Sequence, residues 1–294
     1  TILGTFQASL TNIKRLRIKW VKNTEEEALL GVSLTGIMDN TFMSGSTKGR
    51  GTSEWNSGKK NLPDFLLSLK SEAVKVNKEW AKKLGIEQST SVTAIKPSGT
   101  VSQLVDSASG IHTRHSDYYF RRVRADSKDP IAQLMEDQGI PCEDDIMKPD
   151  SVKVFTFPMK APNGAILRND RTAIEQLELW LTYQTYYCEH KPSVTISIKD
   201  HEWMEVGAWV YQHFDEVSGV SFLPYSDHSY QQAPYEDCTK EDYKRLSSLM
   251  PKNVDWSLIS KYELEDTTKG NKTLACTGNV CELVDLIEEE EEKE

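Results

Sequence analysis

Two stretches of the chain combine residue types that can do chemistry. The first is Ser91 to Gln103, reading Ser-Val-Thr-Ala-Ile-Lys-Pro-Ser-Gly-Thr-Val-Ser-Gln. Gly99 lets backbone approach a ligand without an intervening Cβ, and Ser98, Thr100 and Ser102 bring hydroxyl donors. The free N–H groups of a helix start there would attract an anion. A phosphate would fit. The Walker and Rossmann glycine spacings are absent, so an ordinary capped helix after a strand also accounts for the local pattern. The second stretch is Cys276-Thr-Gly-Asn-Val-Cys281, a Cys-x4-Cys pair near a polar end of the sequence. Its Gly-Asn step allows the chain to reverse so that two sulfurs can meet, whereas a structural zinc site needs two more ligands that are not nearby. A redox-active dithiol is therefore favoured over zinc. The other three cysteines, Cys142, Cys188 and Cys238, are widely spaced among ordinary residues and read as structural, reduced thiols.

Between these stretches, Ile111 to Arg124 interleaves aromatic and cationic side chains. That mixture suits a planar, anionic or amide-bearing ligand; a solvated edge strand with its cations outward is the plainer alternative. His112 and His115 are spaced as a metal pair could be, yet no third ligand with usual spacing accompanies them, and no metal is assigned.

Positioning such groups requires a folded scaffold, and 294 residues at 38% hydrophobic content are enough for a substantial core. The net charge of −10 argues little about partners, because Glu282 to Glu294 holds eight acidic residues against Lys293 and so supplies −7 of it. No basic stripe stands out and no apolar run approaches the roughly 20 residues needed to span a bilayer, so neither nucleic acid nor membrane is expected as a partner and a cytoplasmic location is expected. Ser91 to Ile95 reads as a short strand, Pro97 to Gly99 as a turn, and Thr100 as a helix opening. Gly31 to Asp39 reads as a strand with a tight turn, and Leu62 to Leu84 as a long helix between Pro63 and Gly85. Thr1 to Ile13 is expected to be buried. Further helices are expected over Pro130 to Gln138, Thr172 to Tyr187, Glu202 to Phe214 (Trp203 facing inward) and Lys240 to Leu249. Strands are expected at Val152 to Phe157, closed by Pro158, at Ser193 to Ile198 and at Gly219 to Leu223. This alternation predicts an α/β architecture with a largely parallel sheet, its ligand loops near Asp39, Ser98 and Tyr225.

Taken in order, Gly31-Val-Ser-Leu-Thr-Gly-Ile-Met-Asp39, Lys96-Pro-Ser-Gly-Thr-Val-Ser102, Gly110-Ile-His-Thr-Arg-His115 through Arg121-Arg-Val-Arg124, Cys188-Glu-His190, Gly219-Val-Ser-Phe-Leu-Pro-Tyr225 and the Cys276/Cys281 pair resemble the catalytic chain of ribonucleotide reductase. The chain is most similar to the adenosylcobalamin-dependent (class II) ribonucleoside-triphosphate reductases. This resemblance implies the C-terminal half of a ten-stranded α/β barrel over residues 1–265, with segments 110–162 and 230–265 facing the cofactor, and a flexible redox-active tail over 266–294. It implies that Ser98, Gly99, Thr100, Val101 and Ser102 hold the substrate triphosphate, and that Cys276 and Cys281 pass electrons from thioredoxin to a buried cysteine pair beside the substrate. In such chemistry a thiyl radical removes the 3′ hydrogen of a ribonucleotide, the 2′ hydroxyl leaves as water, and a dithiol supplies the electrons. The family's radical-bearing cysteine lies in a Cys-x-Glu type motif, which this sequence lacks. Since it also begins at Thr1 within an apparently structured run, it is expected to be the downstream piece of a split or processed enzyme. It would be inactive and unable to hold adenosylcobalamin without an upstream N-terminal half. A non-catalytic nucleotide-binding or assembly module, with Cys276 and Cys281 forming only a tail disulfide, and the equivalent part of a diiron-dependent reductase are the alternatives.

Overall fold

A computed structural model describes residues 1–10, 16–45, 61–99, 101–225, 230–263, 276–277 and 280–281. In chain order its elements are α1 (Ile2–Ala8), α2 (Ile18–Glu27), β1 (Val32–Ser33), α3 (Leu62–Leu84), β2 (Thr93–Ala94), α4 (Val101–Leu104), β3 (Tyr118–Asp126), α5 (Pro130–Asp137), β4 (Cys142–Asp144), β5 (Val152–Lys160), α6 (Ala173–Tyr186), β6 (Ser193–Ile198), α7 (Trp203–Gln212), β7 (Gly219–Pro224), β8 (Tyr235–Asp237), α8 (Lys240–Leu249), β9 (Cys276–Thr277) and β10 (Val280–Cys281). The chain divides into two compact units, residues 1–114 with 162–226, and residues 115–161 with 227–294.

The first unit is the α/β part. β1 pairs with β2 in parallel, Val32 opposite Thr93, and β6 pairs with β7 in parallel over six positions, from Ser193 opposite Gly219 to Ile198 opposite Pro224. The two pairs are joined by main-chain hydrogen bonds: Glu189 and His190 both donate to the Thr93 carbonyl and Ser193 donates to that of Ile95, each at 3.0 Å. Along β6 the alternation is strict, with Val194, Ile196 and Ile198 buried and Ser193, Thr195 and Ser197 half-exposed. The apolar set packs on α6, whose start is fixed by a capping box between Thr172 and Glu175 and whose Leu177, Trp180 and Tyr183 are fully buried. The other long helix, α3, has its ends where Pro63 and Gly85 predict them; Asn61 accepts the Asp64 N–H and Gly85 adopts φ +71°. Its buried stripe includes a polar residue, Asn77, which donates to Thr5 Oγ1 (3.1 Å) and Ser89 Oγ (3.0 Å) and accepts the Ser89 N–H (3.0 Å). Fully paired in this way, the buried amide knits α1 and the approach to β2 onto α3.

The second unit is an antiparallel sheet in the order β4-β5-β3-β8, backed by a small core of Ala132, Ile140 and Phe155. The expectation of a largely parallel sheet therefore holds for the first unit alone. Tyr118 to Asp126 and Val152 to Lys160 alternate as half-wet strands do, and such alternation belongs to antiparallel ladders more than to doubly covered parallel ones. β3 is consequently not an edge strand: it pairs with β5 over nine positions and with β8 over three.

Three smaller expectations are also corrected. Pro158 does not close β5, which runs to Lys160. The Thr156 N–H donates to Pro141, and two residues on, at the same edge, β4 has ended, so the N–H that proline lacks has no partner to miss. Of Thr1 to Ile13, residues 11–13 lie outside the described residues, and the rest is not buried as a block: Leu3 is 83% exposed and Phe6 49%, and only Thr5 of α1 is buried. Trp203, expected inward on α7, is 40% exposed, because it occupies the first position of the helix while Val206 and Trp209 face the core.

Candidate functional site

The parallel pair β1 and β2 sends two turns out from its carboxyl ends. After β1 comes Thr35, then Gly36 at φ +71°, where a Cβ would lie 2.5 Å from Ser107 Oγ, so only glycine fits. After β2 comes Pro97 to Gly99. A third segment, Asp106 to Gly110, closes against both. Gly36 and Thr35 Oγ1 donate to the Ala108 carbonyl (2.8 and 2.9 Å), and the Gly110 N–H donates to Thr35 Oγ1 (2.9 Å). Ser98 meets this frame through its hydroxyl, 3.1 Å from Ser109 Oγ and 3.4 Å from Thr35 Oγ1, and through its N–H, which donates to Ser109 Oγ (2.9 Å). Three hydroxyls from three segments thus converge.

The frame is locked from beneath by Arg114, which is 3% exposed. Its guanidinium grips Asp39 with two bonds, Nε to Oδ1 (2.8 Å) and Nη2 to Oδ2 (2.9 Å), and reaches Asp106 Oδ1 (3.1 Å) and the Asp106 carbonyl. Asp39 Oδ2 also accepts the Ala108 N–H (2.7 Å). Asp106 takes φ +47°, a conformation that aspartate tolerates and that this grip holds in place. Burial lowers the pKa of His112, and its neutral ring bridges the frame to β6: Nδ1–H donates to the Ser109 carbonyl (3.0 Å) and Nε2 accepts the Thr195 N–H (3.1 Å).

The five residues expected to hold phosphate are differently placed. Ser98 is half-buried and its N–H is already taken by Ser109. Gly99 sits at φ +54°; among the described residues, its chain neighbours aside, no atom lies within 4 Å of where its Cβ would be, and its N–H has no acceptor. Thr100 lies outside the described residues. Val101 is 66% exposed and donates its N–H to Ser98, while Ser102 is buried and its carbonyl accepts from Val105 and Ser107. The Gly99 amide is thus open-faced beside the Ser98 hydroxyl, and Ser102, through its carbonyl, supports the turn that follows. Thr35 and Ser109, not singled out by sequence, join it. Their signal was the placing of hydroxyls beside the glycines of two motifs, Thr35-Gly36 and Ser109-Gly110.

Of the three loops expected at strand ends, those of Asp39 and Ser98 are brought together by these bonds. Tyr225 sits instead with Asn169, whose Oδ1 accepts its hydroxyl proton at 2.7 Å, and with Arg168 and Lys199 over its ring at 5.6 and 5.5 Å. Cys276 and Cys281 are directly paired across the antiparallel β9–β10 ladder. Cross-strand partners have Cα atoms about 4.5–5.5 Å apart, within the span of a disulfide. The rest of the expected tail, except Thr277 and Val280, lies outside the described residues. Cys142, Cys188 and Cys238 are free thiols, and burial raises the pKa of all three, Cys188 to about 12 and Cys238 to about 11.

In the second unit, the cations of the aromatic-cationic stretch are held internally. Arg121 lies over the Tyr235 ring and donates to its hydroxyl, Arg122 pairs with Glu236, and Arg124 pairs with Asp145 at 2.7 Å. A cavity of about 550 Å³ opens among Arg122, Glu143, Asp144, Tyr230, Gln232 and Glu236. Arg122 Nε is buried beside it without a hydrogen-bond partner among the described residues.

Parallel strands packed on helices, with glycine turns at their carboxyl ends, define an α/β fold. No family model matches the chain. Curated relatives do, and three of them are each named adenosylcobalamin-dependent ribonucleoside-triphosphate reductase. That from Euglena gracilis is 31% identical over 69% of this chain and 27% of its own length. That from Lactobacillus gasseri is 30% identical over 77% and 32%, and that from Lactobacillus leichmannii 31% over 73% and 30%. A crystal structure of a B12-dependent (class II) ribonucleotide reductase superposes with a TM-score of 0.68 at 27% identity, over 83% of this chain and 36% of that one. The chain is thus a relative, in sequence and in fold, of the class II ribonucleotide reductases, and it spans about a third of the length of those it matches.

Proposed function

We propose that this chain is the portion of a class II ribonucleotide reductase that anchors the phosphates of a ribonucleoside triphosphate and delivers reducing electrons through the Cys276/Cys281 dithiol. The convergence of Ser98 and Ser109 beside the open Gly99 amide, held in place by Thr35, whose proton goes to the Ala108 carbonyl, carries the reading: it offers hydroxyls and an uncrowded backbone to a phosphate, at the carboxyl ends of parallel strands where α/β folds place ligands. The strands β1, β2, β6 and β7 are joined by parallel pairing and main-chain hydrogen bonds, with α6 packed on β6, which supports this part belonging to the ten-stranded barrel. The remaining two thirds of a reductase, with the radical-bearing cysteine and the second redox pair, would come from an upstream segment. Thioredoxin, or a similar dithiol protein in the cytoplasm, would reduce the Cys276/Cys281 pair.

The relatives' cofactor is a corrin whose rim bears amides. The cavity in the second unit offers matching groups, with Arg122 as donor, Glu143, Asp144 and Glu236 as acceptors and Gln231 and Gln232 as both, at a size that takes an edge of the corrin and not the whole. When bound, the cofactor supplies the radical that starts the reaction. This chain holds the triphosphate by backbone and hydroxyl donors and keeps the ribose fixed relative to them. Its dithiol, oxidised to a disulfide as it hands two electrons and two protons onward, is then restored by the external reductant.

The test joins this chain to an upstream reductase segment with adenosylcobalamin and a ribonucleoside triphosphate. Turnover with thioredoxin is expected, and Cys276→Ser should abolish it while sparing reduction driven by dithiothreitol. Equal loss with both reductants would remove the shuttle role, and neither association nor reduction in the wild-type mixture would overturn the reading as a whole.

A further inference from the structure

We propose that Lys96 is the cation of the phosphate site, an assignment that rests on the phosphate-loop reading of Ser98 and Gly99 and adds to it the charge that the hydroxyls lack. Lys96 follows the last buried residue of the β2 segment, Ile95, and precedes the Pro97 turn. Its main chain is pinned on both sides: its N–H donates to Ser33 Oγ at 3.1 Å, and its carbonyl lies 2.9 Å from where Gly110 would carry a Cβ. Its position relative to the Ser109–Gly110 wall is therefore fixed.

The ammonium, by contrast, is uncommitted. It is exposed and makes one contact among the described residues, to Ser193 Oγ at 2.9 Å, with no carboxylate partner. That contact is to the half-exposed hydroxyl row of β6, away from the face buried under α6. A nearby cation of the same unit, Arg114, is saturated by Asp39 and Asp106 and has no charge to offer. A lysine held by a neutral hydroxyl on the open face of a sheet, two residues from Ser98 and three from Gly99, keeps its full charge for an anion. A triphosphate carries several negative charges, and three hydroxyls and one amide cannot balance them. An ammonium acting as a point charge can follow a phosphate oxygen without fixed geometry. The Ser193 hydroxyl restrains the Lys96 ammonium before a ligand arrives, so less side-chain freedom is lost on binding.

The test is calorimetric titration of the full 294-residue chain with inorganic triphosphate at low and at physiological ionic strength. Binding is expected, weakened about 10-fold in Lys96→Met, with a shallower dependence on salt, because one charged hydrogen bond at an exposed site is removed. Lys96→Arg should retain most of the affinity. Gly99→Val, placing a branched side chain at φ +54° in the open space above the loop, reports on the loop itself and should abolish binding. If the wild type binds and Gly99→Val does not, while Lys96→Met matches the wild type in affinity and salt dependence, the Lys96 assignment is overturned and the loop reading stands. Absence of binding by the wild type overturns both.

Discussion

Replacing Arg114 with methionine probes the frame beneath the loop. The guanidinium is 3% exposed and makes two short bonds to Asp39, whose side chain is 16% exposed, but its other carboxylate partner, Asp106, is 65% exposed. The two limbs should therefore differ in worth. Methionine fills much of the arginine volume and leaves the Asp39 carboxylate buried with the Ala108 N–H as its remaining partner from this set. An uncompensated buried charge of this kind costs roughly 3–5 kcal/mol. The solvent-screened Asp106 limb is worth about 1 kcal/mol or less, so Asp106→Asn should be nearly silent. For a chain of this size the first variant should lower the melting temperature by on the order of 10 °C. Urea denaturation gives the free energies, and amide exchange at Ala108 and Gly110, which hang from Asp39 and Thr35, reports the frame directly. A second change, Asp39→Leu in the Arg114→Met background, should recover part of the loss by removing the stranded charge. Equal effects of Arg114→Met and Asp106→Asn, or no recovery in the double variant, would refute the reasoning.

Two further outcomes follow from the first unit. At Gly219 an added Cβ would sit 2.5 Å from the Pro192 carbonyl oxygen, backbone against backbone, so Gly219→Ala should push β7 off the start of β6 and cost about 1–3 kcal/mol in urea melts; an unchanged midpoint would show that the strands can shift freely. His112 is kept neutral by burial, with its pKa below the unfolded value of about 6.5. The unfolded chain takes the proton first, so this contribution to stability is complete above that pH and declines as pH falls through it towards the folded pKa. His112→Gln should therefore flatten the loss of stability between about pH 7 and pH 5, and an unaltered slope would assign the acid sensitivity elsewhere.

Much of the scaffold was legible in the sequence because α3, α6, α8 and β6 are long, regular and capped by residues whose chemistry is local: Asn61 and Gly85, Thr172 with Glu175, Thr239 with Asp242. β2 was read as a strand from the alternation and β-branching of Ser91 to Ile95, but that alternation does not mark a wet face, since Val92, Thr93, Ala94 and Ile95 are all buried. The antiparallel unit was missed because α5 lies between β3 and β5 along the chain, and a helix between two strands is also how a parallel crossover reads. What pairs with what across 63 to 75 residues, as Thr35 does with Ser98 and Gly110, has no local signature at all.

The same limit governs charge, and it decides which cation can serve a ligand. In the sequence, Arg114, Arg121, Arg122 and Arg124 form a cationic run beside aromatics, and Lys96 is a single residue before a turn. Folding reverses their standing. Each arginine of the run finds a partner inside its own unit, in Asp39, Tyr235, Glu236 and Asp145 respectively, because a guanidinium taken from water must be met by acceptors. Lys96 stays at the surface, where its ammonium remains hydrated and needs only the Ser193 hydroxyl. A cation already neutralised by its own protein attracts a phosphate weakly, so the density of positive residues in a stretch is a poorer guide to anion binding than the supply of carboxylates the fold brings to them.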